Sequence, residues 1–252
     1  MSTEWYTRLE KGHISGVSED VLDTVAKALQ LDEDKRTYLF DLARAARPAD
    51  RTAPRRKDVE VAPSIQWVLD SITMSAAFVR SGRGDIVASN ALCRALYAPM
   101  FDSDTTDERG RANFPRYFFL DPDSAQFFVD WDEGARVTAA LLRAEAGREP
   151  YDRSMRELVG ELSTLNSEFR AMWAAHDVRI RHEGIKRLEH PEVGRLELSF
   201  HSLDLPLCRR AVHDLIIYAA EPGTPSEDRL KVLASWAATQ PPAAEPTRHK
   251  RH

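Results

Sequence analysis

Aromatic side chains are the most concentrated chemical feature of this 252-residue chain, which is 8% aromatic overall. They crowd into the stretch from Phe114 to Trp173, well above that average. Aromatic residues bury large areas and usually fill a core, but they also line the apolar cavities that bind small molecules. Core packing and cavity lining are therefore both open. As ligand-binding residues we predict the aromatic set Phe114, Tyr117, Phe118, Trp131, Phe169 and Trp173.

Three polar residues are candidates for the polar end of such a cavity. Arg116 can bind a carboxylate through two parallel hydrogen bonds. His176 follows a predicted helix, where a positive charge is favourable. Asn90 is the third candidate. For each of them the alternative is a structural role, as a helix cap, a surface ion pair or a turn bond.

The residue pattern does not favour metal binding or catalysis. Two cysteines, Cys93 and Cys208, are too few for a thiolate cluster or a disulfide framework. No Gly-x-Ser-x-Gly, phosphate-binding glycine loop or His-Glu-x-x-His motif occurs in the sequence. We therefore expect no metal, no cofactor and no enzymatic activity. The histidines that invite a metal interpretation lack the close pairs of zinc sites: His176, His182, His190 and His201.

The overall composition is that of a globular protein. The chain is 42% hydrophobic, which excludes wholesale disorder. No apolar run approaches the roughly 20 residues that a membrane span needs, and no secretion leader opens the sequence. The formal net charge of −5 does not mark the whole chain as a nucleic-acid binder. We expect a cytoplasmic protein without membrane contact.

Positive charge is concentrated in one segment. The window from Arg44 to Lys57 holds six basic residues against one acidic residue, and it contains two prolines. It indicates a basic linker over residues 47–62, which divides a small N-terminal piece, 1–46, from a larger domain, 63–236. The linker is either a tether or an auxiliary contact to DNA phosphates. The Pro-, His- and Arg-rich residues 237–252 predict a disordered tail.

Capping residues and hydrophobic spacing define the elements that must position these side chains. In residues 1–46 they predict three helices, beginning after Ser2, Ser18 and Asp32. In the larger domain, five predicted strands open and close the segment and helices lie between them, which indicates an α+β fold with a small antiparallel sheet. The strands are predicted at 76–80, 85–89, 185–190, 195–203 and 214–220, the last of them central. Helices are predicted at 64–72, 90–97, 121–146, 151–162, 167–175 and 226–236.

The first twelve residues carry a local motif, Ser2-Thr-Glu-Trp-Tyr-Thr-Arg-Leu-Glu-Lys-Gly12. It resembles the second helix of the helix-turn-helix in the Cro/repressor-like (XRE) family. The resemblance implies that this helix reads the major groove of double-stranded DNA. The family's first helix precedes this motif, so we expect either a start codon assigned too late or a remnant of the DNA-binding region. The residues implied to face the DNA are Thr3, Glu4, Thr7 and Arg8.

The larger domain resembles the MmyB-like ligand-binding domain that follows such DNA-binding regions in bacterial regulators. The resemblance implies a PAS-like antiparallel sheet with helices packed on it, and a buried pocket for a fatty-acid-like or other elongated apolar ligand. It implies a DNA-binding transcriptional regulator, which we expect to be a homodimer. The alternative is a ligand-binding or heterodimerising sensor without DNA binding, because the first helices of the helix-turn-helix are missing. The resemblance rests on six collinear motifs, among them Gly84-Asp-Ile-Val-Ala-Ser-Asn90, Asn113-Phe-Pro-Arg-Tyr-Phe-Phe-Leu-Asp-Pro122 and Tyr218-x-Ala-Glu-Pro-Gly223.

Overall fold

The computed structural model describes residues 18–45, 61–175, 182–205 and 213–239. Several predicted features lie outside the described residues: the first helix, nearly all of the basic linker, and the tail from residue 240 onward. The same holds for five predicted site residues, Thr3, Glu4, Thr7, Arg8 and His176.

One antiparallel sheet of five strands organises the larger domain. Their order across the sheet is β2-β1-β5-β4-β3, and every neighbouring pair is antiparallel. All five predicted strands are confirmed to within two residues at each end, and β5 is central, as its continuous apolar sequence indicates. The strands are β1 (Ala76–Ser81), β2 (Ile86–Ser89), β3 (Glu183–His190), β4 (Gly194–Leu205) and β5 (His213–Ala219).

Helices make up most of the rest of the described chain. The N-terminal region contributes α1 (Glu19–Ala28) and α2 (Glu33–Ala45), at the two places that Ser18 and Asp32 predict. The larger domain contributes α3 (Pro63–Ser71), α4 (Ala91–Leu96), α5 (Ala98–Phe101), α6 (Phe114–Leu120), α7 (Ser124–Phe127), α8 (Trp131–Arg148), α9 (Arg153–Leu165), α10 (Ser167–Ala174) and α11 (Pro225–Thr239). The predicted α+β class, with a helical region ahead of an antiparallel sheet and its helices, is confirmed.

Alternation along β1 separates the two faces of the sheet. Ala76 and Phe78 belong to the main core, whereas Ala77 and Val79 belong to a smaller cluster on the opposite face. Helix α3 covers that opposite face with Leu69, which is fully buried. Helices α4 to α11 all contribute side chains to the main core. One face of the sheet therefore carries nearly all of the helical mass.

The β1–β2 hairpin turns on a glycine that nothing larger can replace. Gly84 has φ +84°, and its amide donates a hydrogen bond to the Ser81 carbonyl at 2.8 Å. A Cβ at position 84 would lie 2.4 Å from Cδ of Pro115, in the first turn of α6. Both the backbone conformation and this close approach require glycine here.

The prediction of one long helix over residues 121–146 is wrong, because the chain forms two helices, α7 and α8, with three non-helical residues between them. At the break, Phe128 forms an isolated antiparallel bridge with Leu188 of β3. The next amide, of Val129, donates to the Arg187 carbonyl at 3.2 Å. Pairing with the edge strand outweighs the helical periodicity that runs through this segment.

Asn90 joins the end of β2 to the start of β1 and to α4. Its Oδ1 accepts hydrogen bonds from the amides of Cys93, at 2.8 Å, and Ala77, at 3.1 Å. Its Nδ2 donates to the carbonyls of Ile72, at 2.7 Å, and Ser75, at 2.8 Å. The buried side chain therefore satisfies four backbone groups from three segments.

Replacing Asn90 by alanine should lower the free energy of unfolding by about 3 kcal/mol, because four backbone groups lose their partner. Asn166→Ala is the matched control, since the Asn166 side chain makes two such bonds: its Oδ1 accepts from the Phe169 amide in α10, and its Nδ2 donates to the Phe119 carbonyl in α6. Urea denaturation should show the larger loss for N90A. Equal losses in the two variants would contradict the joining role of Asn90.

Candidate ligand-binding cavity

A cavity of about 400 Å³ lies between one end of the sheet and α8. Its volume falls in the range of roughly 300–1,000 Å³ that is usual for small-molecule sites. Strands β1 and β4 end here and strands β3 and β5 begin here, so four strands contribute to the floor. Helix α8 forms the wall along almost its whole length, and the first turns of α2 complete the rim.

Apolar side chains cover much of the cavity surface. Phe200 and Tyr218 are cross-strand neighbours on β4 and β5, with their ring centroids 5.9 Å apart. Ile216 follows on the same face of β5. The helical side of the cavity adds Phe114, Pro115, Phe118, Val137, Leu141 and Leu142. Such a surface suits an apolar guest molecule.

A row of charges crosses the floor at the sheet end. Arg80 on β1, Asp214 on β5 and Asp204 on β4 are in register across three strands and all line the cavity. The guanidinium of Arg80 donates to the Asp214 carboxylate at 2.7 Å, and both side chains are about one-fifth exposed. Alternation along the strands therefore places polar groups at the open end of a face that is apolar further in.

Lys186 is the second cation of the floor, and its amine lies on two aromatic rings in the vicinity of Asp130 and Glu133. Its Nζ lies 4.4 Å from the ring centroid of Phe128 and 5.1 Å from that of Phe118. Desolvation by burial lowers the pKa of Lys186 from 10.5 to about 8, although the nearby Asp130 carboxylate acts in the opposite direction. An ammonium held on aromatic faces is available to an anionic group entering the cavity.

A glycine in α8 makes the approach of these groups possible. A Cβ at Gly134 would lie 2.8 Å from Cζ of Phe118 and 3.3 Å from Nζ of Lys186. The helix thus leaves a notch in its first turn, into which the phenyl ring and the amine fit. The notch sets the distance between α8 and the floor of the cavity.

Carboxylates outnumber cations among the described residues that line the cavity, seven to three. Ion pairs offset much of this surplus. Besides the Arg80–Asp214 pair, Asp130 accepts from Arg187 at 2.8 Å, and Glu145 lies 3.6 Å from Arg148. The cavity therefore does not carry a general positive charge: Arg80 and Arg148 are paired with carboxylates, and Lys186 lies near Asp130 and Glu133.

Comparison with known proteins assigns this region to a family. A family model described as the MmyB-like transcription regulator ligand binding domain matches residues 61–233. The chain belongs to this family. The match covers the whole sheet and confirms the resemblance to MmyB-like regulators, while α1 and α2 lie outside it. A search of the curated proteins finds no match.

Two of the predicted aromatic residues, Phe114 and Phe118, line the cavity of the MmyB-like domain. Tyr117 does not line it: its ring is fully buried against the edges of Phe127 and Phe128. Trp131 also lies away from it and donates its Nε1 to the Phe118 carbonyl at 3.2 Å. Tyr117 lies in the main core, and Trp131 packs against that core.

Phe169 and Trp173 form a separate stack on α10, with ring centroids 5.6 Å apart. The guanidinium of Arg143 covers the Trp173 ring at 4.2 Å, and Phe169 meets the edge of Phe119 at 4.9 Å. Neither residue lines the cavity. Their burial stabilises the contact of α10 with α8 and α6.

Two of the three predicted polar residues, Arg116 and Asn90, are described by the structure, and both lie away from the cavity. Arg116 is held by the carboxylate of Glu161 on α9, with contacts of 2.8–3.3 Å. The amide of Asn90 is fully used by backbone groups. Neither side chain reaches the cavity, so their helix-capping and ion-pairing alternatives apply.

The sequence analysis missed the polar groups that do reach the cavity, Arg80, Lys186 and Asp214. Their signal was a charged residue in the inward-facing register of an otherwise apolar strand, such as Arg80 two residues after Phe78. Finding it requires knowing which strands are neighbours, and the pairing of β1 with β5 joins residues far apart in the chain.

Two further properties concern metals and membranes. Within the ranges the structure describes, no group of three or more His, Cys, Asp or Glu side chains could hold a metal ion. None of the helices placed by the structure combines the length and the apolar character that crossing a bilayer requires.

Replacing Lys186 by methionine should raise the free energy of unfolding near pH 7, and this advantage should shrink at higher pH. The folded-state pKa of about 8 lies below the usual 10.5, so the unfolded chain binds more protons between these values. The wild type therefore gains stability as pH rises from 8 towards 10.5, by about 2 kcal/mol at pH 10. Urea titrations of both proteins at pH 7 and pH 10 measure the difference; a gap that stays constant would contradict the buried position of the amine.

Proposed function

We propose that this chain is a DNA-binding transcriptional regulator whose MmyB-like domain binds a small apolar, fatty-acid-like ligand. The observation that carries the proposal is the cavity, which is of ligand size, mostly apolar and joined to a few fixed polar groups. Membership in a family of ligand-binding domains of transcription regulators supports it. We infer a cytoplasmic location from this function, because a regulator acts where its DNA is.

The arrangement of the cavity favours a long molecule with one polar end. Phe114, Phe200, Ile216 and Tyr218 would contact its hydrocarbon chain, whose burial provides most of the binding free energy. Lys186 would bind the carboxylate of the ligand. Its ammonium lines the cavity and lies on the rings of Phe118 and Phe128. A charged hydrogen bond of this kind contributes about 1.5–3 kcal/mol.

Control of DNA binding follows from linkage between two sites. In a homodimer that reads two half-sites about 34 Å apart, a small change between protomers alters the fit of both recognition helices. A ligand that favours one arrangement changes DNA affinity by a coupling free energy of about 1–3 kcal/mol. The residues that would contact the bases in the major groove are the predicted Thr3, Glu4, Thr7 and Arg8.

Thr138→Phe should reduce the affinity for dodecanoate at least about tenfold, because the new ring occupies the cavity from the wall formed by α8. Isothermal titration calorimetry measures the affinity. Arg136→Phe is the matched control, since Arg136 lies on the exposed side of the same helix and does not line the cavity. In the same assay Lys186→Met should weaken dodecanoate about tenfold and leave dodecanol unchanged. Wild-type affinity in T138F would refute a ligand site here.

The regulatory part of the proposal is tested on DNA. Duplexes selected by the protein from a randomised pool should bind with an affinity that dodecanoate changes by about 5–150-fold. The titration is made at one fixed salt concentration, because phosphate contacts make affinity salt-dependent. T138F should bind the same duplex without responding to dodecanoate. Identical affinity of the wild type with and without dodecanoate would count against ligand control.

A further inference from the structure

Helix α2 packs directly on the wall of the cavity, although it precedes the MmyB-like domain. The ring of Tyr38 on α2 lies against Gly147 near the end of α8, and a Cβ at position 147 would come within 2.2 Å of its Cε2. Glycine in a helix interior costs about 1 kcal/mol relative to alanine. Here it creates the depression that accepts the tyrosine ring.

A polar chain runs beside this contact from α2 to the cavity. Asp41 on α2 accepts from Nε of Arg148 at 3.3 Å, and Arg148 also lies 3.6 Å from Glu145. Arg148 and Glu145 both line the cavity, and Glu145 is almost fully buried. The charge that fixes α2 is thus part of the cavity surface.

Helix α2 is also joined to α1. Nη2 of Arg36 on α2 lies 2.6 Å from the carboxylate of Asp23 on α1, which lowers the pKa of that carboxyl group. Leu22, Val25 and Ala26 of α1 are buried. The two helices therefore form a pair, and whatever moves α2 moves the described part of the N-terminal region.

We infer that the cavity is a composite site, in which α2 supplies part of the rim and a bound ligand favours the docked position of α2. Glu33, Asp34 and Thr37, spaced over one turn of α2, line the rim of the cavity. A ligand that touches both helices gains contacts that are lost when α2 leaves, so it binds the docked state more tightly. This inference rests on the proposed function, and it states how ligand binding at that site would affect the N-terminal region.

Gly147→Ala is the variant that tests the inference, because its Cβ clashes with Tyr38 and leaves the sheet untouched. Gly160→Ala is the matched control: Gly160 also lies inside a helix, α9, but its Cβ would meet nothing within 4 Å. Hydrogen–deuterium exchange of the full chain reports α2 through peptides covering 33–45, and calorimetry reports dodecanoate affinity.

We expect G147A to speed exchange in residues 33–45 about tenfold and to weaken dodecanoate about fivefold, with strand peptides and G160A unchanged. Dodecanoate should slow exchange in residues 33–45 of the wild type. If the wild type binds dodecanoate but exchange in α2 does not respond, and G147A binds equally well, the coupling is refuted while the proposed ligand site stands. If the wild type does not bind dodecanoate, both fail.

Discussion

The pairing of β1 with β5 is the constraint on which the rest of the structure depends. It places residues 76–81 beside residues 213–219, so the two halves of the larger domain close into one sheet. The register sets Phe78 against Ile216 and Arg80 against Asp214. A slip of β5 by one residue would turn Ile216 and Asp214 to the α3 face, which removes part of the apolar floor and breaks its charged edge. The cavity therefore exists only in this register.

The main face of the sheet is solid at one end and hollow at the other, and charge accounts for the difference. Towards Leu188, Leu196 and Leu198 the helices cover the sheet with buried apolar side chains, and the one buried histidine there, His190, is bonded to the Ala95 carbonyl. Towards Arg80 and Lys186 the floor carries charges that cannot be buried under a helix without large desolvation costs. Helix α8 lines the cavity along almost its whole length, across from this charged floor.

Local signals were sufficient for most of the fold but not for the site. The five strands and the turn at Gly84 follow from alternation and from glycine at a positive φ. The break before Trp131 does not, because the bridge between Phe128 and Leu188 is a tertiary contact that helical spacing cannot reveal. Helix α6 was not predicted either, although Asn113 before Phe-Pro is a capping signal: its Oδ1 accepts from the Arg116 amide at 2.9 Å.

The placement of the predicted site residues relative to the cavity has a similar physical explanation. Aromatic residues attract attention by type, but their role depends on which side of a helix they occupy. Phe118 lines the cavity, whereas Tyr117, its neighbour in sequence, is buried in the main core. Polar candidates were chosen for their chemistry alone, and both described ones, Asn90 and Arg116, were already bound by the protein itself. The charged groups of the cavity floor lie on strands, where burying a charge costs free energy. Lys186 illustrates this: desolvation by burial lowers its pKa, and in the proposed function a carboxylate guest would act in the opposite direction.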